Sequence, residues 1–180
     1  MNKKTCRTHL LAQRKQLSPN SISHKSKYII QHITRSHLWQ QSKHIAIYLP
    51  FNGEVDLSPL LHTTNKHIYI PSIKGQNMQF HLYDEHLRIH QHKFGIKQPI
   101  YDDTLKQTEL DLCLMPLLGF DLNGNRLGMG GGYYDRYFED NQNTVLAGVA
   151  YRFQHIDKLF ADSWDVKLHH IFTEQGHLIL

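Results

Sequence analysis

The sequence is poor in cysteine, in long apolar runs and in metal-binding spacings, and each shortage excludes something. Its two cysteines, Cys6 and Cys113, lie far apart in unlike settings. Two such thiols make no disulfide framework, and a reducing cytoplasm is the expected compartment. Cys113, inside "LDLCLMPLL", reads as a small buried hydrophobe. No apolar run approaches the roughly 20 residues that cross a bilayer. The opening "MNKKTCRTHLLAQRKQL" is basic but has neither an apolar stretch nor a small-residue cleavage site, so it is not read as a secretory signal. There are 15 histidines, yet neither HExxH nor a Cys/His finger. "HLRIHQH" offers His86, His90 and His92, and "LHHIF" offers His169 and His170; both are read as composition bias on solvated faces.

What is present suits one α/β domain. The 180 residues are 40% hydrophobic and 20% charged, ordinary for a globular chain. No repeat, low-complexity linker or shift in composition divides them, and one core is the economical reading. The net charge of +4 and the pI of about 9.0 suit a phosphate-bearing partner. Charge alone does not separate nucleic acid from a small anionic ligand.

Residues 3–17 read as a basic helix. "LSPN" stops it and starts another, with Ser18 as N-cap and Pro19 as first helical residue. That helix is expected to reach about Gln41, with Ile22, Ile29, Ile30 and Ile33 on one face. "HIAIYLP", "LDLCLMPLLGF" and "VLAGVAY" are short apolar runs, the pattern of buried strands. "NGEVDLSPLLHTTN" reads as a loop and a short helix. "KHIYIPSI" and "MQFHLYD" alternate as strands around the turn "KGQN", while "FGIKQP" is expected to be irregular. "GGYYDRYFED" opens a helix, and "LHHIFTEQGHLIL" supplies one or two edge strands. Strands alternating with helices predict a mainly parallel sheet flanked by helices on both faces. The expected fold is a Rossmann-like three-layer sandwich with an N-terminal helical segment.

The densest local signal is "RLGMGGGYYDRYF", residues 126–138. Glycine allows positive φ and a close approach of backbone N–H groups to a ligand. Strand, glycine loop and helix together present those groups to an anion. "GMGGG" matches neither G-x-G-x-x-G nor G-x-x-x-x-G-K-S/T, so alone it points to phosphate only in general terms. Arg126 and Arg136 flank it and could grip phosphate oxygens. Asp135 could cap a helix or hold Mg²⁺ against phosphates. Tyr133 and Tyr134 could be core, or could stack on a flat heterocycle.

The longer segment "DLCLMPLLGFDLNGNRLGMGGGYYDRYF" resembles the signature of the 5-formyltetrahydrofolate cyclo-ligase family. Other parts are similar to that family in order. Lys3 and Arg7 stand at its Lys-x-x-x-Arg spacing. "IYLPFNGEVD" carries Glu54, "FGIKQP" resembles its Gly-Ile-x-x-Pro, and "SWDVKLHHIFTEQG" carries Asp165. Two departures stand out: Met129 where many members have Arg, and Leu159-Phe160-Ala161-Asp162 where many have Leu-Pro-x-Glu.

The resemblance implies ATP-dependent cyclisation of 5-formyltetrahydrofolate to 5,10-methenyltetrahydrofolate. It implies ATP as co-substrate and Mg²⁺ as the ion. The implied ATP and phosphate set is Lys3, Lys4, Arg7, Arg126, Gly128, Met129, Gly130, Gly131, Gly132, Tyr133 and Tyr134. Folate would meet Leu49, Glu54, Met129, Gly132 and Tyr133. Mg²⁺ would be held by Asp135 and Asp165. No protein nucleophile is required. The chain is expected to be a cytoplasmic monomer acting on folate and ATP, with no nucleic-acid or membrane partner. Two alternatives stand beside this. A sugar-phosphate isomerase or acyl-transferase-like enzyme would also bind phosphate at strand ends. A basic nucleic-acid-binding module would need a contiguous basic stripe with interleaved aromatics.

Overall fold

The computed structural model describes residues 2–91 and 95–180. Helix α1 (Lys3–Lys15) begins where the Asn2 side chain accepts the Thr5 N–H at 2.9 Å, satisfying one of the orphan donors of a first turn. Helix α2 (Pro19–Arg35) has the expected start, with Ser18 as N-cap and Pro19 inside the first turn. It does not reach Gln41. The chain turns extended at Ser36, whose hydroxyl donates to the Ile33 carbonyl at 2.7 Å and accepts the Trp39 N–H. That serine ends α2 and caps a separate α3 (His37–Gln41), because its hydroxyl competes with the backbone ladder.

The strands are β1 (His44–Ala46), β2 (His67–Lys74), β3 (Asn77–Leu82), β4 (Ile89–Gln91), β5 (Lys97–Pro99), β6 (Leu112–Pro116), β7 (Gly119–Phe120), β8 (Arg126–Leu127), β9 (Val145–Val149), β10 (His170–Thr173) and β11 (Gly176–Ile179). A 3₁₀ turn covers Ser58–His62, and α4 (Tyr133–Tyr137) follows the glycine run. "FGIKQP" is less irregular than expected: Lys97–Pro99 pairs antiparallel with Ile89–Gln91. The Gln98 amide also bonds both the N–H and the carbonyl of Ile73, behaving as a peptide group would.

Seven strands form the central sheet in the order β11-β10-β9-β6-β1-β2-β3. The pairs of β1 with β2 and β6, and of β9 with β6 and β10, are parallel. The two outer hairpins, β2–β3 and β10–β11, are antiparallel. The sheet is therefore mainly parallel, as the sequence reading expected.

Period-2 alternation sorts its side chains into two cores. On one face Ile45, Ile47, Leu112, Leu114 and Val149 pack with Ile29 and Ile33 of α2, Trp39 of α3 and Leu60 of the 3₁₀ turn. On the other, Ala46, Cys113, Met115 and Leu146 pack with Phe138, Leu168 and the tyrosines of α4. Cys113 is fully buried, and burial pushes its thiol far up, so it is the inert apolar filler expected. α1 packs at the end of the sheet, where Cys6 and Leu10 meet Leu118, Leu127 and Leu159.

Strand order reverses between β1 and β6. The chain runs from β1 to β2 on one side, and from β6 to β9 on the other. In an open parallel sheet this switch point leaves a crevice beyond the carboxyl ends of the strands.

Candidate active site

A cleft of about 700 Å³ lies at that switch point. Lys3 and Arg7 of α1, the segment from Tyr48 to Glu54 after β1, Pro116 at the end of β6, and the run from Arg126 to Arg136 all line it. The sequence read "HIAIYLP" as one strand. The β1 ladder covers only His44–Ala46, with Ile47 adding one bond to Tyr69, and Tyr48 and Leu49 go on into the cleft wall.

The glycine run forms one wall. Gly130 and Gly132 have φ of +102° and +67°, left-handed conformations that a side chain would strain. A Cβ on Gly132 would also stand 2.6 Å from Nη1 of Arg136. Gly132 ends the run as N-cap of the five-residue α4. Arg7 holds the loop from behind, its Nε donating to the Gly128 carbonyl at 2.9 Å.

Arg126 is nearly buried and donates from Nη2 to Oδ1 of Asp135 at 2.6 Å; the same oxygen accepts the Val166 N–H at 3.2 Å. Lys3 Nζ lies 2.6 Å from Asp162 and 2.8 Å from Asp165. Partial burial pulls the Lys3 ammonium down, but the two carboxylates outweigh it and hold it above its ordinary value. Burial pushes Asp165 up, and Lys3, the Asp162 N–H and the Arg126 charge more than reverse this. Arg136 is partly committed: its Nε and Nη2 donate to the carbonyls of Gln76 and Gly131.

Glu54 also lines the cleft. Its Oε2 accepts the Phe51 N–H at 3.0 Å, and its Oε1 lies 3.6 Å from Nη1 of Arg14. Burial raises this carboxyl to about 7 against the lowering influence of Arg14 and the Phe51 N–H. Leu49 is half-buried beside it, while Met129 projects from the glycine run with 54% of its surface exposed. Tyr133 donates its hydroxyl to the Gly75 carbonyl at 3.1 Å, and the Arg126 guanidinium lies 5.7 Å from the Tyr134 ring centre.

Thus the fold brings Lys3, Arg7, Leu49, Glu54, Arg126, Tyr133, Tyr134, Asp135, Asp165 and the whole stretch from Gly128 to Gly132 to one cleft. Lys4 is exposed and outside its lining; one residue on from Lys3 it lies about 100° around the helix. The histidines are elsewhere. His86 and His90 are exposed, His92 lies outside the described residues, His169 accepts the Leu146 N–H, and His170 contacts His177. Among the described residues no three His, Cys, Asp or Glu side chains converge as a metal site, and no helix is long and apolar enough to cross a membrane.

Sequence reading missed Arg14, Asp162 and Trp164. Trp164 lines the cleft two-thirds exposed, and no periodic pattern marks it. Arg14 was findable, since it stands seven residues after Arg7 and so on the same helix face.

The model of the 5-formyltetrahydrofolate cyclo-ligase family matches residues 1–174. The chain is 33% identical over 177 residues to the 5-formyltetrahydrofolate cyclo-ligase of Haemophilus influenzae, covering 93% of this chain and 95% of that one. It is 26% identical over 191 residues to the mouse 5-formyltetrahydrofolate cyclo-ligase, covering 97% and 94%. Among solved structures it is similar to the Aquifex aeolicus 5,10-methenyltetrahydrofolate synthetase, with a TM-score of 0.84 and 30% identity over 99% of this chain and 93% of that one. The Mycoplasma pneumoniae 5,10-methenyltetrahydrofolate synthetase gives a TM-score of 0.75 and 29% identity over 97% and 99%. The chain belongs to the 5-formyltetrahydrofolate cyclo-ligase family and is an enzyme of folate one-carbon metabolism.

Proposed function

We propose that this enzyme closes the ring of 5-formyltetrahydrofolate by phosphorylating the formyl oxygen with ATP. A formamide carbon is a poor electrophile, and its oxygen is a poor leaving group. Attack of that oxygen on the γ-phosphorus of ATP releases ADP and forms a C–O–P linkage. N10 then attacks the activated carbon and gives up its proton. Inorganic phosphate departs with the former formyl oxygen, leaving 5,10-methenyltetrahydrofolate. The protein positions the reactants and stabilises charge, with no covalent enzyme intermediate.

One observation carries this reading: a single cleft is lined both by the Glu54 carboxylate and by a cation-backed glycine loop. Lys3, Arg7 and the N–H groups of the stretch from Gly128 to Gly132 would hold the triphosphate. Arg126 would act through Asp135, which it already holds. Glu54 and Leu49 would meet the pterin, and Tyr133 would offer it an apolar face. Met129 brings no charge to the loop, so phosphate binding leans on backbone N–H groups and on α1.

The donor set suits Mg²⁺. Asp135 commits Oδ1 to Arg126 and Val166 and leaves Oδ2 without a hydrogen bond. Asp165 commits Oδ2 to Lys3 and the Asp162 N–H and leaves Oδ1 without one. Two hard oxygens from residues lining one cleft match an ion that takes one or two carboxylates besides phosphate oxygens. Asp135 and Asp165 would hold it, and the ion would neutralise charge on the triphosphate. We take the chain to be a monomer acting on folate and ATP. Neither a nucleic-acid nor a membrane partner is needed in this account, and the cytoplasm suits it.

The test is an isotope label. With ¹⁸O in the formyl group, this route delivers the label to inorganic phosphate. Unlabelled phosphate, with turnover intact, would exclude phosphorylation of that oxygen.

A further inference from the structure

Arg14 is not among the residues lining the cleft and is 2% exposed, one of the largest fully buried side chains among the described residues. A guanidinium stays charged at every pH of interest, and a buried charge needs a counter-charge. Among the described residues the one carboxylate within 4 Å of it is Glu54, at 3.6 Å. Its Nε and Nη2 are buried without partners. A pair left so incompletely bonded is weak as a stabilising device.

The surroundings fix the pair in place. Arg14 lies in the last turn of α1, on the helix face that carries Arg7 about two turns earlier and Lys3 about three. A Cβ on Gly53 would stand 3.4 Å from the Arg14 carbonyl oxygen, so the loop carrying Glu54 rests directly on the helix. The Gly53 carbonyl also accepts the Tyr151 hydroxyl at 3.2 Å, and Glu54 Oε2 is tied to the Phe51 N–H. Three other titratable groups face Glu54: Tyr48 after β1, Tyr134 in α4 and Tyr151 after β9. Burial pushes all three hydroxyls up, so they stay neutral. Arg14 is thus the cation that answers the Glu54 charge.

We infer that Arg14 is a positioning residue for the substrate: from inside α1 it holds Glu54 as an oriented, anionic hydrogen-bond acceptor for the pterin. The inference rests on the reading that Glu54 contacts the folate. Burial alone drives that carboxyl toward its neutral form, and it stands at about 7 with Arg14 opposing. Near neutrality, then, the Arg14 charge decides whether Glu54 accepts or donates a hydrogen bond. The same helix that offers Lys3 and Arg7 to the phosphates sets the protonation of the folate-facing acid.

The experiment compares the wild type with Arg14→Met, Arg14→Lys, Glu54→Gln and the Arg14→Met/Glu54→Gln double variant. One readout is the ¹³C NMR titration of the Glu54 carboxyl in the free protein, assigned with Glu54→Gln. The other is kcat/KM for 5-formyltetrahydrofolate against pH at saturating Mg-ATP. The wild type should titrate near pH 7 and lose kcat/KM below it. In Arg14→Met both midpoints should move to higher pH. Its kcat/KM at pH 7 should fall roughly tenfold and recover in alkali, as expected for a lost neighbouring charge. Arg14→Lys should restore the wild-type profile, and the double variant should follow Glu54→Gln with no acidic limb. If Arg14→Met does not fold, Arg14→Gln takes its place. An unmoved Glu54 titration, or a loss equal at every pH, overturns the positioning role while leaving Glu54 in the site. Full activity in Glu54→Gln overturns the folate contact itself, and the inference falls with it.

Discussion

Arg126 and Asp135 are joined by a 2.6 Å hydrogen bond that ties together the two residues flanking the glycine run. Their side chains are 5% and 17% exposed, so the pair is largely withdrawn from water. The contact joins the two ends of the loop, and Asp135, which lines the cleft, keeps its second oxygen without a hydrogen bond.

Asp135→Asn keeps an acceptor for Arg126 and for the Val166 N–H, so it should fold as the wild type does. Its Mg-dependent turnover should fall by roughly a hundredfold or more, the scale of losing a group that stabilises transition-state charge. Asp135→Ala should lose the same activity and also stability, by roughly 3–5 kcal/mol, because Arg126 is left buried and unpaired. Thermal melts beside a magnesium titration of turnover check both. Full activity in Asp135→Asn would remove the metal role.

Lys3 and Arg7 line the cleft and are proposed to hold the triphosphate. Lys3 now satisfies Asp162 and Asp165, and Arg7 braces Gly128. Replacing both with alanine should raise KM for ATP by roughly tenfold or more, with KM for folate changed by less than about threefold. Steady-state kinetics with each substrate varied in turn decide it. An unchanged KM for ATP would take both residues out of the site.

Glu54 also leaves a signature in stability. Folding raises its carboxyl from 4.5 to about 7, so the native state holds that proton more tightly than the unfolded chain. Its contribution is full below about pH 4.5 and is lost as pH rises to about 7. Relative to Glu54→Gln, the wild type should therefore lose on the order of 3 kcal/mol of unfolding free energy across that window. Denaturant melts of the two proteins at matched pH test it, and a flat difference would contradict it.

Local chemistry was legible in the sequence, and distant pairing was not. Ser18 and Pro19 announce the start of α2, and the unbroken apolar run of Leu112, Cys113, Leu114 and Met115 announces a strand buried on both faces. The glycine run and Asp135 are contiguous, so their cleft could be foreseen. Ser36 was passed over because a serine within a helical pattern looks the same whether it bonds inward or caps a new helix. β5 was missed because its three residues carry no alternation and are held partly by the Gln98 side chain. The Lys3 contacts with Asp162 and Asp165 span nearly the whole chain, and no local pattern encodes them. Arg14 lay in plain view on the Lys3–Arg7 face, but its burial depends on the Phe51–Glu54 loop folding over it.

The central claim is tested most directly by mixing purified protein with 5-formyltetrahydrofolate and Mg-ATP and following absorbance in the methenyl band, with ATP omitted as the control. The account predicts growth of that band only when ATP is present. A folded protein that binds Mg-ATP and yields no such absorbance would contradict it.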